Sequence, residues 1–154
     1  SQQDTFTDNS ANNVFEGRGG NDAFYLVNGG NDTLMYKVLA GMTNDSTGGN
    51  GHDTIHGFKV GNLVKDSDAD LLDMSELLDY KGSISFFEDE GKLELDYSSR
   101  GVLDYVKVEV VGNDTVISID RDGQGGQHGF TQVVTLADVQ TDLVTLLQNN
   151  QIMM

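Results

Sequence analysis

Through the first third of the chain, a large apolar residue stands two places after an Asp or Asn, and the unit recurs. Asp4-Thr5-Phe6, Asn13-Val14-Phe15 and Asp22-Ala23-Phe24 are nine residues apart, Asp32-Thr33-Leu34 follows after ten, and Asp53-Thr54-Ile55 after a longer insertion. Side chains alternate across a strand, so each unit predicts a short strand that turns its apolar residue inward. Ordinary Asn/Asp-Gly hairpins are the alternative, but they do not keep a nine-residue phase. Residues 34–39 predict a longer strand, 41–47 a polar loop, and 55–64 a strand-like exit from the repeats. The end of the stretch 66–78 reads as a short helix, with Asp73 or Ser75 as N-cap and Glu76 in its first turn. Beyond it, the β-branched and aromatic runs 83–87, 92–97, 102–111, 115–120 and 132–136 predict strands separated by turns such as Gly91, Gly101 and Gly112-Asn113-Asp114. From Ala137 or Asp138, the residues Val139, Leu143, Leu146 and Leu147 fall at helical spacing, predicting a C-terminal amphipathic helix to about Asn149 and a short apolar tip after it.

The glycines give the repeat a chemistry. Gly48-Gly49-Asn50-Gly51-His52-Asp53-Thr54-Ile55-His56 fits the nonapeptide GGxGxDxUx at every defined position, U being a large apolar residue. Gly17-Arg18-Gly19-Gly20-Asn21-Asp22 puts Arg18 at the second position, and Val27-Asn28-Gly29-Gly30-Asn31-Asp32 has lost the first two glycines. Such turns let the backbone aim carbonyls at one centre, to which the Asp adds a hard anionic oxygen, so the pattern reads as a calcium-binding parallel β-helix. If successive repeats fall on opposite faces, Asp4 stacks on Asp22 and Asn13 on Asp32, whereas the insertion leaves the partner of Asp53 open. The candidate calcium ligands are the carboxylates of Asp22, Asp32 and Asp53 and the carbonyls of Gly17, Gly19, Gly29, Gly48 and Asn50.

Charge sharpens this picture. Net charge is −16 at pH 7, from 25 acidic and 9 basic residues, which argues against nucleic acid and anionic membrane surfaces as partners. With 37% hydrophobic residues the chain is not a disordered acidic tail, so multivalent cations are its natural counter-charge. There is no cysteine, which leaves calcium as the available cross-link for an extracellular protein. No signal peptide or apolar run of transmembrane length is visible, and Ser1 reads as a start inside a repeat, at the end of a larger protein.

Other chemistry is thin. Asp66-x-Asp68-x-Asp70 opens like an EF-hand loop, but Leu71 and Leu77 replace the required glycine and glutamate, so Asp66 and Asp68 read equally as ligands or as a solvated turn. Asp120-x-Asp122-Gly123 reads as a polar turn. His52 and His56 lie on a turn and strand without a third ligand, against zinc. No nucleophile motif or phosphate-binding loop is present, and catalysis is not expected.

The nonapeptides resemble those of the RTX (repeats-in-toxin) proteins exported by bacterial type I secretion. The second half extends the resemblance over essentially the whole chain. Asp53-Thr54-Ile55-His56-Gly57-Phe58 followed by Asp70-Leu71-Leu72-Asp73-Met74-Ser75 resembles the block that closes RTX rolls in type I secretion C-terminal target domains. Val116 to Gly123 and Val133-Val134-Thr135-Leu136 resemble that family's last strands, and large secreted adhesins are the nearest likeness. The resemblance implies an all-β fold: a parallel calcium-binding β-roll at 1–64, then a small β-rich target region at 65–154 with one short and one terminal α-helix, packed as one unit. It adds Asp70 and Asp73 to the candidate metal ligands. It also implies a secreted or cell-surface module that is not an enzyme. Such a module binds several Ca2+ ions, is read at its C-terminus by a type I secretion ABC transporter, and folds outside the cell. The non-catalytic tail of a secreted metalloprotease, lipase or epimerase is the alternative.

Overall fold

The computed structural model describes residues 2–154, and strands dominate it. Twelve strands are β1 (Thr5–Thr7), β2 (Val14–Phe15), β3 (Ala23–Tyr25), β4 (Thr33–Lys37), β5 (Asp53–His56), β6 (Leu71–Glu76), β7 (Phe86–Asp89), β8 (Lys92–Leu95), β9 (Val106–Val111), β10 (Asp114–Ile119), β11 (Thr131–Ala137) and β12 (Ile152–Met153). One α-helix, α1 (Leu143–Gln148), a 3-10 helix at Tyr97–Asp104 and a single 3-10 turn at Gly123–Gly125 complete the elements. From β1 to β6 the chain alternates between two sheets. One runs in the order β1-β3-β5-β11-β10-β9, the other β12-β6-β4-β2, and β7-β8 is a separate hairpin. The first sheet is mixed: β1, β3, β5 and β11 pair in parallel, whereas β11, β10 and β9 pair antiparallel. The second is parallel throughout.

Parallel register turns the sequence period into two apolar rows. Phe6, Phe24, Ile55 and Leu136 lie side by side in the first sheet. Phe15, Leu34, Leu72 and Ile152 do the same in the second. The Phe6 and Phe24 rings stack at 4.9 Å, and Phe15 meets Phe24 edge-on at 5.8 Å. Both rows feed one core that also takes Met74, Ile117, Ile119, Val134 and Leu146. The second half therefore continues each row: β11 adds Leu136 to one and β12 adds Ile152 to the other.

Several predicted elements are corrected. The short helix near residues 73–78 is a strand, because Leu72 and Met74 alternate into the core and β6 pairs with β4 on one side and β12 on the other. What remains of the helix signal is one turn after the strand, where the Leu77 and Leu78 amides both donate to the Met74 carbonyl at 3.0 Å. The strand-like exit at 55–64 ends at His56, since Gly57 turns with φ of 83° against the Leu26 carbonyl. The terminal helix begins at Leu143 rather than near Ala137: β11 runs through Ala137, Asp138 has φ of 56°, and Asp142 caps the helix by accepting the Thr145 amide at 2.8 Å. Val102 lies in the 3-10 helix instead of the following strand, and the predicted apolar tip is strand β12.

Candidate metal site

The aspartates that open the strands form two ladders. In the first, the Asp4 amide donates to Asp22 Oδ1 and the Asp22 amide to Asp53 Oδ1, each at 2.8 Å. In the second, the Asn13 amide donates to Asp32 Oδ1 at 2.8 Å and the Asp32 amide to Asp70 Oδ1 at 3.1 Å. Asp4 thus pairs with Asp22 and Asn13 with Asp32, as the nine-residue phase requires. The partner of Asp53, left open by the sequence, is Asp22, 31 residues away, and the second ladder adds an unforeseen step from Asp32 to Asp70, 38 residues apart. An asparagine step runs beside each ladder: the Asn31 amide donates to Asn12 Oδ1 and the His52 amide to Asn21 Oδ1, both at 3.0 Å. The recurring Asn before the ladder residue at positions 12, 21 and 31 was its sequence signal. Position Gly51 needs its glycine, because a Cβ there would collide with the Gly20 carbonyl of the preceding turn, at φ of 81°.

Each ladder leaves carboxylate oxygens over. Asp22 and Asp32 are 2% and 1% exposed, and the Oδ2 atom of each is buried with no hydrogen-bond partner. Burying a carboxylate oxygen without compensation costs several kcal/mol or is relieved by protonation or a cation. Gly17 keeps the space beside Asp22 Oδ2 open, since a Cβ on Gly17 would approach it to 2.5 Å. Burial raises the Asp53 carboxyl to about 7, helped by the Asp22 charge and opposed by the Asp22 amide. Burial likewise raises Asp70 to about 7, against the Lys59 and Asp32 amides and with the charges of Asp32 and Asp8. Asp32 is raised too, first by burial and also by the Asp8 charge. The buried Tyr36 phenol lies beside Asp53 of the first ladder; burial and then the charges of Asp53 and Asp22 hold it neutral.

Beside the second ladder is a cavity of about 130 Å³, lined by Asp8, Asp32, Asp68, Asp70, Gly29, Gly30 and Lys59 among others. Asp8 has no counterpart in the sequence reading. It is 7% exposed, and its carboxylate accepts the Asn28 amide at 2.9 Å. Asp68 approaches Gly29, whose added Cβ would lie 3.3 Å from Asp68 Oδ1. Among the described residues, no three His, Cys, Asp or Glu side chains are grouped closely enough to hold a metal by themselves. A cation held here would need backbone carbonyls to complete its coordination, a mixture that calcium accepts.

The remaining candidates are not ladder residues. Gly19 lies in the turn that leads to Asp22. The Gly48 carbonyl accepts the Leu39 amide at 2.8 Å, and the buried Asn50 donates through Nδ2 to Lys37 O at 2.8 Å and Thr47 O at 2.7 Å, so both build the turn that carries Asp53. Asp73 is outside both ladders and caps Ser75 instead, accepting its amide at 3.0 Å and its hydroxyl at 2.6 Å. His52 Nε2 pairs with the Thr135 hydroxyl at 2.7 Å, and His56 stacks on Tyr25 at 4.5 Å. No described helix is long and apolar enough to cross a membrane. No protein-family model matches the chain, and neither does any curated protein.

Proposed function

We propose that strands β1 to β6 are a calcium-binding β-roll of the RTX kind, and that the chain is a non-catalytic, calcium-dependent folding module of a secreted bacterial adhesin. The observation that carries this reading is the pair of buried, unpartnered oxygens, Asp22 Oδ2 and Asp32 Oδ2. Each belongs to a carboxylate whose other oxygen is fixed by the neighbouring coil, so a preset acceptor is left for a hard cation. Asp22, Asp32, Asp53 and Asp70 would hold calcium together with carbonyls of the turns at Gly17, Gly19 and Gly29, while Gly48 and Asn50 shape the turn before Asp53. Calcium, when bound, supplies the positive charge that a chain of net charge −16 lacks and cross-links successive coils.

Coupling to export follows from concentration. Sites of roughly 10⁻⁴–10⁻³ M affinity stay empty where calcium is scarce and fill outside the cell. Filling then stabilises the folded state by RT ln(1 + [L]/Kd) at each site. Circular dichroism and thermal melting in chelator, millimolar calcium and millimolar magnesium test the calcium reading. Calcium should raise the melting temperature strongly and magnesium little, because magnesium demands a tight octahedron; identical curves in all three would overturn it. The export reading places the address in residues 135–154. Deleting the last twenty or so residues should abolish export by a matching type I transporter, and export at the normal level would overturn that reading alone.

A further inference from the structure

Gln151 immediately precedes β12 and is fully buried, at 0% exposure. A buried primary amide is costly unless every donor and acceptor is met. Here all four hydrogen-bonding positions of the side chain are used. Nε2 donates to Lys59 O at 2.7 Å and Asp70 O at 2.9 Å, while Oε1 accepts the Gly61 amide at 3.0 Å and Asn149 Nδ2 at 3.2 Å. Its backbone is equally engaged: the amide donates to Leu146 O and the carbonyl accepts the Leu72 amide, both at 2.8 Å. The two carbonyls it joins belong to residues that line the acidic cavity. Lys59 and Asp70 also bond each other, the Lys59 amide reaching Asp70 Oδ2 at 2.8 Å. The orientation of the Asp70 carboxylate, which in turn receives the Asp32 amide, thus depends on where Gln151 holds these two backbone segments.

We infer that Gln151 is a positioning residue for the cation site at Asp32 and Asp70, so that docking of the C-terminal strand and occupation of that site are coupled. The inference rests on the calcium reading above. Gln151 would touch no metal. It fixes the backbone behind one ligand, as outer-shell partners do, and such partners are typically worth about 10–100-fold in metal affinity. Linkage makes the coupling reciprocal: what docking contributes to affinity, the bound cation returns to docking.

Calcium titration of the full chain, followed calorimetrically below the melting transition, tests the inference on Gln151→Ala, Gln151→Glu and Ile152→Ala. The last variant trims core packing in the same strand without touching the Lys59–Asp70 clamp, and so measures what loss of packing alone does. Both Gln151 variants should bind calcium at least about 10-fold more weakly at one class of site, with Ile152→Ala melting earlier but titrating within about twofold of the parent. Hydrogen exchange of the Ile152 and Met153 amides should slow on adding calcium to the parent and much less in Asp32→Asn. Unchanged titrations in the Gln151 variants, beside a parent that binds calcium, would overturn the inference and leave Gln151 a structural staple. A parent that binds no calcium would overturn the calcium reading itself.

Discussion

Within one ladder residue, the two carboxylate oxygens face different demands. Asp22 Oδ1 is fixed by the Asp4 amide, while Oδ2 is buried and unmet. Removing a ladder carboxylate should therefore weaken calcium binding more than removing a nearby one outside the ladders. Asp53→Ala is expected to shift the calcium midpoint for folding well above that of Asp66→Ala, because the Asp66 carboxylate bonds only locally, to the Asp68 amide at 3.0 Å. Matching midpoints for the two variants would contradict the ladder assignment. A second residue-scale prediction concerns Arg18, which stands at a glycine position of the repeat with φ of 67°. The left-handed region costs a non-glycine residue about 1–2 kcal/mol, and glycine returns part of that in chain entropy. Arg18→Gly should thus stabilise the fold by roughly 0.5–1 kcal/mol in urea unfolding; its ion pair with Glu16, 3.6 Å long on a largely exposed side chain, is little to lose.

At the scale of elements, the strands of the first third were legible because one inward residue per unit fixes both their position and their register. Phe6, Phe24 and Ile55 announced one sheet, and Phe15 and Leu34 the other. The neighbours that close those rows, Leu136 and Ile152, carry no repeat signature and are recruited only by tertiary pairing. For the same reason β6 was misread: Asp73, Ser75 and Glu76 imitate a helix start, but pairing on both sides of the strand outweighs a capping preference of about 1 kcal/mol. The site divides in the same way. Asp22, Asp32, Asp53 and Asp70 were visible from motif and resemblance, whereas Asp8 and Gln151 gain their roles from chain segments far away in sequence, Asn28 and Lys59 respectively. The observed start of α1 makes its own prediction. Asp142→Ala removes the cap on the Thr145 amide and should cost about 1 kcal/mol in thermal or urea unfolding; no loss would place the helix start elsewhere.

For the whole molecule, the calcium reading and the burial of acid groups together predict opposite pH responses with and without metal. Burial raises Asp53 and Asp70 to about 7 in the fold, from the ordinary aspartate value of 3.8. Between those values the folded state binds more protons than the unfolded one, so metal-free stability is greatest at acid pH and falls as pH rises through about 7. In chelator, melting temperature should accordingly be higher at pH 5 than at pH 7.5. In calcium the order should reverse, since protons and the cation compete for the same oxygens; the same pH trend in both conditions would contradict the ladders as cation sites. The most direct test of those sites is anomalous diffraction from crystals grown in millimolar calcium. Peaks are expected within about 2.3–2.6 Å of Asp22 Oδ2 and Asp32 Oδ2. The same fold with no anomalous peak at either oxygen would contradict the calcium assignment.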